Sequence, residues 1–290
     1  MKKATKLSIV IVTWNNDEEI AECLRSIYQN EENEPLGRIE TIVVDNSSQD
    51  NTVNVVKSFI DLIEDDVKII ANDENLGFTR GANLGLKKAK GKYVLLLNPD
   101  TELLNDALVE LYLKLENEVK TGIAAPQLLF REREIQKSVR RSPKYRDMFF
   151  EILLLSKIFP NSRFFSRWKM NYFSHDEEAE VEQPMGAALM FKRNILEEVD
   201  YLDERYDMFF SDVDVCKKIC LAGYKIVFFP KAKIKHRKGV SVYKNRSYMI
   251  SLWNKDCLKY FSKFHKNFIL YPLLYAGLMV SGFFRKLFSD

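Results

Sequence analysis

An asparagine and an aspartate follow a short apolar stretch near the first third of the chain. The stretch, Tyr93–Leu97, lies between Gly91 and Pro99 and is typical of a buried central strand of a parallel sheet. Asn98 and Asp100 come directly after it. Because open α/β sheets bind ligands beyond the carboxyl ends of their strands, Asp100 is predicted to anchor a metal ion. Taken alone, Asn-Pro-Asp is more often a turn followed by a helix cap.

A second group of acidic residues lies downstream, directly after an aromatic run. Asp212 and Asp214 follow Met208–Phe210, and the apolar spacing beyond them predicts a helix that begins here. At the start of a helix the dipole favours the charged form of a carboxylate, whereas burial by the aromatic side chains opposes it. We expect the group to stay ionised, so that it can remove a proton from a hydroxyl group. The same two residues are also well suited to cap the helix.

The elements that would position these residues alternate between strand and helix. Strands are predicted from apolar runs at Leu7–Thr13, Ile39–Val44, Val67–Ile70, Tyr93–Leu97, Gly122–Phe130, Val181–Phe191 and Lys225–Phe229. Apolar residues recur at helical spacing between most of them. This alternation predicts a doubly wound, mostly parallel α/β sheet, whose ligands bind where the strand order reverses.

The charge of the chain is divided unevenly. Residues 231–290 contain thirteen Lys or Arg and two acidic residues, a net charge of +11, which leaves −8 for the rest of the chain. Such asymmetry indicates a polyanionic partner, and the uncharged segment Phe268–Phe284 favours an anionic membrane surface over nucleic acid. That segment is predicted to lie on the membrane, cross it, or form a homodimer. We expect one domain over residues 1–242 and a helical, basic and apolar extension over 243–290.

The cysteines and the amino terminus bear on the compartment. The four cysteines form no CxxC pair, which argues against a zinc site or a disulfide framework. The first apolar run, Leu7–Val12, is shorter than the core of a signal peptide. We therefore expect a cytoplasmic protein that is peripheral to the inner face of the cell membrane.

Several segments in a fixed order resemble the bacterial family-2 glycosyltransferases, particularly their rhamnosyltransferase-like branch. These segments are VTWNN, VVDNSS, NLGFTRGAN, LLLNPD, GAALMF, LDERYDMFFSDVDVCKK and KHRKGVS, within residues 7–242. The resemblance implies the GT-A fold, which has a Rossmann-like sheet. It also implies transfer of a sugar from a nucleotide diphosphate donor with inversion at the anomeric carbon, and a divalent cation, Mg²⁺ or Mn²⁺, as cofactor.

The resemblance also implies roles for individual residues. Asp45 matches the carboxylate that reads a pyrimidine base, and Thr13 lies at the base pocket. Asp100 matches the second acid of the metal-binding motif, His236 the histidine that approaches the metal or diphosphate, and Asp212 the general base. Further candidates are Asn15, Asn75, Arg80 and Asn98 for the donor, and Gly186, Ala187 and Asp214 for the acceptor.

One departure from the family pattern and two other functions remain to be weighed. Ser211 stands where the family usually has a glutamate before the base, so a like-charged neighbour is missing. The expected partners are a UDP- or dTDP-sugar, dTDP-rhamnose among them, and a glycan or lipid-linked acceptor. A sugar nucleotidyltransferase would carry a Gly-rich basic loop after the first strand, where this chain has TWNND. A degenerate nucleotide-sugar-binding module would bind the donor without transfer.

Overall fold

A ten-stranded mixed sheet forms the centre of the computed structural model, which describes residues 5–63, 66–130, 134–237 and 246–287. Its first half has four parallel strands in the spatial order β3, β2, β1, β4. They are β1 (Leu7–Thr13), β2 (Ile39–Asp45), β3 (Val67–Ala71) and β4 (Tyr93–Leu97). The connections contain α1 (Asp17–Tyr28), a 3₁₀ helix (Glu31–Leu36), α2 (Thr52–Ile63) and α3 (Phe78–Lys88). The order reverses between β1 and β4, as predicted, so their carboxyl ends flank a switch point.

Burial on both faces explains why these strands read as continuous apolar runs. Every residue of β1, β2 and β4 is buried, and two apolar cores lie on opposite faces of the sheet. Helix α1 covers one face with the side chains that its spacing predicted, Ile20, Cys23, Leu24 and Ile27. The four strands of the first half of the sheet could therefore be predicted from the pattern of apolar residues.

The second half of the sheet introduces antiparallel pairing. Beyond β4 the order is β11, β6, β12 and β5, and β11 runs antiparallel to both β4 and β6. The strands are β5 (Thr101–Leu104), β6 (Thr121–Phe130), β11 (Ala188–Lys192) and β12 (Lys225–His236), with β7 (Glu134–Gln136) on β6 and β9 (Ala179–Glu180) on β12. A separate pair consists of β8 (Val139–Arg140) and β10 (Gln183–Pro184). The sheet is thus mixed, as in the predicted fold class.

The single strand predicted over Val181–Phe191 is wrong. The segment divides into β10 and β11, which belong to different sheets. Between them the backbone at Gly186 passes close to Asp212, and a Cβ at Gly186 would lie 3.0 Å from the Cβ of that aspartate. The small residues Gly186, Ala187 and Ala188, which interrupt the apolar segment in the sequence, stand at the break.

Residues 131–172, in whose sequence apolar residues recur at no regular spacing, contain a pair of helices. Helices α5 (Tyr145–Ile152) and α6 (Leu155–Ile158) lie within Arg131–Tyr172. The others in the main part of the chain are α4 (Ala107–Asn117), α7 (Arg193–Glu198) and α8 (Ser211–Leu221). The helix predicted at Asp212 is α8, which begins one residue earlier.

The chain ends in two helices that share a core with the rest of the fold. They are α9 (Arg246–Phe264) and α10 (Leu270–Leu287). Phe261 of α9 and Leu274 of α10 are buried in one cluster with Tyr206 and Phe210. No helix in the described residues combines the length and the apolarity needed to span a membrane. The division into 1–242 and 243–290 stays a prediction, and the shared core joins the two parts.

Candidate active site

Thr13 and Asp45 lie side by side at the carboxyl ends of β1 and β2. The two residues are direct partners in the parallel register, and both are buried. The Asp45 carboxylate accepts hydrogen bonds from the backbone N–H of Ser48, at 3.0 Å, and from the Ser48 hydroxyl. The Thr13 hydroxyl is buried and has no hydrogen-bond partner in the described part of the chain. An unpaired hydroxyl beside a carboxylate suits a ligand that both donates and accepts hydrogen bonds.

Two strained backbone positions hold the loops at this edge. Asn15 and Ser47 have φ values of 54° and 62°, in the left-handed region that costs a non-glycine residue about 1 kcal/mol. The Asn15 N–H donates to the Ser48 hydroxyl at 2.9 Å, and its side-chain oxygen accepts from the Gln49 N–H at 2.7 Å. These contacts fix the loop after β1 against the loop after β2. The two loops at the carboxyl ends of β1 and β2 are therefore held in place by contacts within the protein.

The loop before α3 joins the same edge through its backbone. Asn46 donates from its side-chain amide to the Gly77 carbonyl at 3.0 Å. The Asn75 side chain accepts from the Gly77 N–H at 2.9 Å, which closes a local turn. Arg80 lies in the first turn of α3 with an exposed side chain. Asn75 thus shapes the loop, and Arg80 presents a cation near it.

Asp100, in the turn between β4 and β5, lies close to His236 at the end of β12. His236 ends β12, where it pairs with Thr101 of β5, and its Nε2 lies 3.4 Å from an Asp100 carboxylate oxygen. The same Nε2 lies 3.4 Å from the side-chain nitrogen of Asn98. Both acidic and imidazole side chains are largely buried, at 11% and 6% exposure. The sheet therefore brings together two residues that are far apart in the sequence.

The donor set suits a divalent cation that is completed by phosphate oxygens. In the described residues, no group of three or more His, Cys, Asp and Glu is arranged to hold a metal ion by itself. Mg²⁺ in phosphate-transferring sites is commonly held by one or two protein carboxylates together with substrate phosphates and water. Asp100 with His236 beside it fits that pattern.

Asp212 lies at the start of α8, where two backbone N–H groups hold its carboxylate. Gly186 donates to one oxygen at 3.0 Å and Val213 to the other at 2.8 Å. Desolvation raises the pKa of Asp212 above its ordinary value, although these hydrogen bonds and the nearby Arg140 oppose the rise. A carboxylate with a raised pKa is a stronger base than an exposed one. The helix begins after Phe210, whose φ is 63°.

A backbone contact connects the Asp212 region with the Asp100 region. The N–H of Asn98 donates to the carbonyl of Ala187 at 2.9 Å, one residue from the N–H that holds Asp212. Gly186 and Ala187 therefore lie between the two acidic groups. They were predicted at the acceptor, which stays a prediction; Gly186 contacts Asp212, and Ala187 contacts Asn98.

Asp214 is bonded in the protein interior by side chains from other elements. Its carboxylate is fully buried and accepts from Lys263 at 2.5 Å and from the Tyr206 hydroxyl at 3.2 Å. Burial raises the pKa of Asp214, and the Lys263 ammonium group opposes that rise. Its predicted contact with the acceptor stays a prediction.

Arg140 is a residue of this site that sequence reasoning did not select. It lies on β8 with its guanidinium 4.9 Å from the centre of the Trp168 ring. Burial lowers the pKa of Arg140, and the Asp212 charge opposes the change. The sequence showed Arg140 only as one of several basic residues in a stretch without clear periodicity, because its position depends on the pairing of β8 with β10.

Helix α9 contributes a buried carboxylate to the loop before Asp212. Asp256 accepts from the backbone N–H groups of Met208 and Phe209, at 3.2 and 3.0 Å. Lys263, about two helical turns further along the same face of α9, bonds Asp203 at 2.8 Å and also bonds Asp214. A single acid inside a strongly basic segment was the available sequence signal for Asp256.

With this geometry described, comparison with known proteins decides the family. Residues 8–176, more than half of the chain, match the family model described as glycosyl transferase family 2. The chain belongs to glycosyltransferase family 2. The predicted resemblance to this family is confirmed, whereas its rhamnosyltransferase-like branch stays a prediction.

One curated relative is the low-salt glycan biosynthesis hexosyltransferase Agl10 of Haloferax volcanii. It is 26% identical to this family-2 chain over 214 residues, which cover 72% of this chain and 60% of the relative. Three of the curated relatives are matched over only 39% to 60% of their own lengths. The match therefore concerns a shared domain.

Solved structures confirm the GT-A fold. The mannosyltransferase PcManGT from Pyrobaculum calidifontis, in complex with GDP-Man and Mn²⁺, superimposes with a TM-score of 0.62 at 17% identity, covering 97% of this chain and 74% of that one. GalNAc-T7 with UDP, GalNAc and Mn²⁺ gives the same TM-score and identity, covering 81% of this chain and 44% of that one. At this identity the likeness concerns the fold.

Proposed function

We propose that this protein transfers a sugar from a nucleotide diphosphate to a hydroxyl group of a glycan or lipid-linked acceptor, with inversion at the anomeric carbon. The observation that carries the proposal is the backbone contact between Asn98 and Ala187. Asn98 lies two residues before Asp100, and Ala187 follows Gly186, whose N–H holds the Asp212 carboxylate, so the contact supports a site in which both acids take part. A metal-assisted leaving group and a base are the two groups that such a transfer needs.

The donor would bind along the ends of β1, β2 and β4. Asp45 would accept a hydrogen bond from the N3–H of a pyrimidine ring, and the unpaired Thr13 hydroxyl would reach the base as well. Asn15 and Asn75 would shape the rim of the pocket, and Arg80 would approach the donor as a cation. We favour UDP- or dTDP-sugars, dTDP-rhamnose among them, because Asp45 suits either pyrimidine.

Asp100 and His236 would hold a divalent cation, Mg²⁺ or Mn²⁺, together with the diphosphate of the donor. When bound, the cation supplies positive charge that stabilises the departing diphosphate. Asn98 would contact the same region through its side-chain amide. Solved structures of the same fold that contain Mn²⁺ and a nucleotide or nucleotide sugar support this arrangement.

Asp212 would act as the base in a single displacement. Its carboxylate takes the proton of the acceptor hydroxyl while the hydroxyl oxygen forms a bond to the anomeric carbon. The bond between that carbon and the diphosphate oxygen breaks on the opposite face, so the configuration inverts. Gly186 and Ala187 would line the acceptor side, since the Gly186 backbone contacts Asp212 and Ala187 is the next residue. Asp214 would contribute by holding Lys263 rather than by touching the acceptor.

We also propose that the protein works at an anionic membrane, peripheral to its inner face. Helix α10 exposes large apolar side chains, among them Leu273, Val280 and Phe283, and basic residues flank them. Leu153 and Ile158, in and beside the α5–α6 pair, are exposed as well, and Ile152 of α5 packs against α10 at Gly277. An amphipathic surface with basic residues is suited to lipid headgroups. A homodimer is the competing use of this surface.

A binding and product experiment tests the proposed function. Thermal melts with UDP, dTDP, GDP and ADP, with and without Mn²⁺, are expected to show the largest shift for a pyrimidine diphosphate with metal, because ligand binding stabilises the native state. Asp100→Ala should remove the metal-dependent part of the shift. Equal shifts for UDP and ADP in the wild-type protein would contradict the assignment of Asp45.

The products separate the proposed function from its alternatives. A transferase releases a nucleoside diphosphate and a glycoside of inverted configuration, which NMR identifies. A nucleotidyltransferase would release pyrophosphate, and a binding module would release neither. Retention of configuration, or full activity in excess EDTA, would overturn the proposed mechanism.

A further inference from the structure

A buried glutamine contacts the imidazole ring of His236 from the side opposite Asp100. Gln136 lies on β7, which pairs with β6, and its side-chain oxygen is 2.9 Å from His236 Nδ1. Gln136 is 2% exposed and His236 6%, so water does not compete freely for this contact. The glutamine nitrogen is buried without a hydrogen-bond partner in the described residues.

The direction of the hydrogen bonds around His236 follows from the groups present. An amide oxygen can only accept, so the contact with Gln136 requires a proton on Nδ1. In a neutral ring Nε2 then carries a lone pair, and the side-chain nitrogen of Asn98, 3.4 Å away, faces it as a donor. With the Gln136 amide reversed, Nε2 would carry the proton and could donate to the Asp100 carboxylate, 3.4 Å away, but it would meet the Asn98 nitrogen donor to donor. In the observed orientation the Nε2 lone pair faces the Asp100 carboxylate oxygen, and two such acceptors suit a shared cation.

We propose that Gln136 is a positioning residue that holds His236 in the Nδ1–H tautomer and so presents Nε2 to the divalent cation at Asp100. The inference rests on the proposed function, because that function makes Asp100 and His236 the metal-binding pair. Histidines that bind metals usually donate their other N–H to such a partner, and its loss commonly weakens metal affinity by about 10- to 100-fold. Gln136 is inferred to act through His236 and not to touch the metal.

The tautomer itself can be measured without metal. In protein with ¹⁵N-labelled histidine at pH 8, the His236 ring should show a protonated Nδ1 and an unprotonated Nε2. The chain contains three histidines, so a His236→Ala spectrum assigns the signals. Gln136→Met removes the acceptor at similar volume and should shift the ring toward the other tautomer, whereas Gln136→Glu keeps an acceptor oxygen and should preserve Nδ1–H.

Metal affinity gives a second readout. Calorimetric titration of Mn²⁺ into UDP-loaded protein should show about 10- to 100-fold weaker binding for Gln136→Met and much smaller loss for Gln136→Glu. Gln127→Met is the matched control, because Gln127 is also buried, on the adjacent strand β6, and donates instead to the His175 carbonyl at 2.5 Å. It should leave Mn²⁺ affinity unchanged.

The outcomes separate this inference from the proposed function. A wild-type ring protonated on Nε2, or a Gln136→Met protein with unchanged tautomer and unchanged Mn²⁺ affinity, overturns the role of Gln136. If the wild-type protein with UDP binds no Mn²⁺, the proposed function fails at its metal, and the role of Gln136 toward the cation fails with it. A tautomer change confined to Gln136→Met in metal-free protein would in that case show only that Gln136 orients the ring.

Discussion

At the residue scale, Asp212 carries a cost that its proposed chemistry requires. Desolvation raises its pKa, and two backbone N–H groups and Arg140 only partly offset the rise. The folded protein therefore holds a proton on Asp212 to a higher pH than the unfolded chain does. At a pH above the raised pKa, the Asp212 carboxylate of the folded protein is charged although its burial disfavours the charged form, and this lowers the stability of the fold.

Asp212→Asn is expected to lower turnover by about 10² to 10⁴ with nearly unchanged donor affinity, the range for removing a positioned base. The same variant should melt at a higher temperature than the wild-type protein at pH 7. Stability of the wild-type protein falls as pH rises through the window between the unfolded pKa, 3.8, and the raised folded value, because unfolding releases the proton. Steady-state transfer and calorimetric melts measure both effects.

The thermal difference should shrink as the pH falls below 3.8, where both states of the wild-type protein are protonated. Asp61→Asn is the control, since Asp61 is exposed on α2 and should change neither turnover nor the melt. A variant with near wild-type turnover would show that the chemistry lies on another residue.

Arg140→Met is expected to move the acidic limb of the rate profile to higher pH. The Arg140 charge lowers the pKa of Asp212, so its removal lets desolvation raise that pKa further. The base then becomes available only at higher pH. Turnover measured from pH 5 to 9 checks the shift. Arg141→Met is the matched control, because its side chain is more exposed and lies 3.8 Å from Glu182; an equal shift there would contradict the assignment to Arg140.

At the scale of elements, α9 holds the loop that leads into Asp212. Asp256 accepts from two backbone N–H groups of that loop, and Lys263 bonds Asp203 in the loop and Asp214 on α8. Although burial opposes it, the pKa of Asp203 is well below its ordinary value because Arg205 and Lys263 donate to it. Helix α9 therefore stabilises the loop and the helix start around Asp212.

Lys263→Met should destabilise the protein at pH 7 by about 3 to 5 kcal/mol, because it leaves buried charge unpaired. The stability that Asp203 contributes is lost only below its unfolded pKa, 3.8. Burial raises the pKa of Asp214, and in the variant the Lys263 ammonium group no longer opposes that rise, so Asp214 takes up a proton at a higher pH. The difference from wild type should therefore become smaller toward pH 4, as the buried Asp214 carboxylate of the variant loses its charge. Urea unfolding at both pH values measures this, and a constant difference would count against the buried pairs. Lys266→Met, exposed between the two helices, is the control.

The sequence predicted these elements unevenly, for physical reasons. The ends of β1, β2 and β4 were legible because strands buried on both faces give unbroken apolar runs that stop at polar residues. Gln136 and Arg140 were not, since short strands hold them by pairing rather than by any pattern of their own. Asp256 was overlooked because a lone acid in a basic helix has meaning only when its partner loop is known.

At the scale of the whole molecule, exposed apolar side chains lie near basic residues in two regions, the carboxyl-terminal helices and the α5–α6 pair. Exposed apolar side chains on α10 and in the α5–α6 pair lie in regions rich in Lys and Arg. Each basic residue near an anionic bilayer adds up to about 1 kcal/mol of attraction, which salt screens. Partial insertion of the apolar side chains would add to this attraction.

Polar substitution of the exposed face of α10, at Leu273, Val280, Phe283 and Leu287, should abolish flotation with anionic liposomes. The buried residues Leu274 and Leu278 remain, so the shared core is kept. Wild-type flotation should weaken as salt rises. Leu62→Ser with Leu221→Ser is the matched control, because both leucines are exposed on other helices. Unchanged flotation of the α10 variant, or its conversion from dimer to monomer in light scattering, would favour a dimer surface instead.

Because α9 follows the strands of the sheet in the sequence, the bonds that it makes can form only late in synthesis. The ribosome makes Asp203, Asp212 and Asp214 before it makes Asp256 and Lys263, so every strand of the sheet emerges while the loop before Asp212 still lacks its supports. Domains commonly begin to fold during synthesis. The nascent chain can thus form the sheet edge at Thr13 and Asp45 early, but it completes the surroundings of Asp212 only after α9 has emerged and docked.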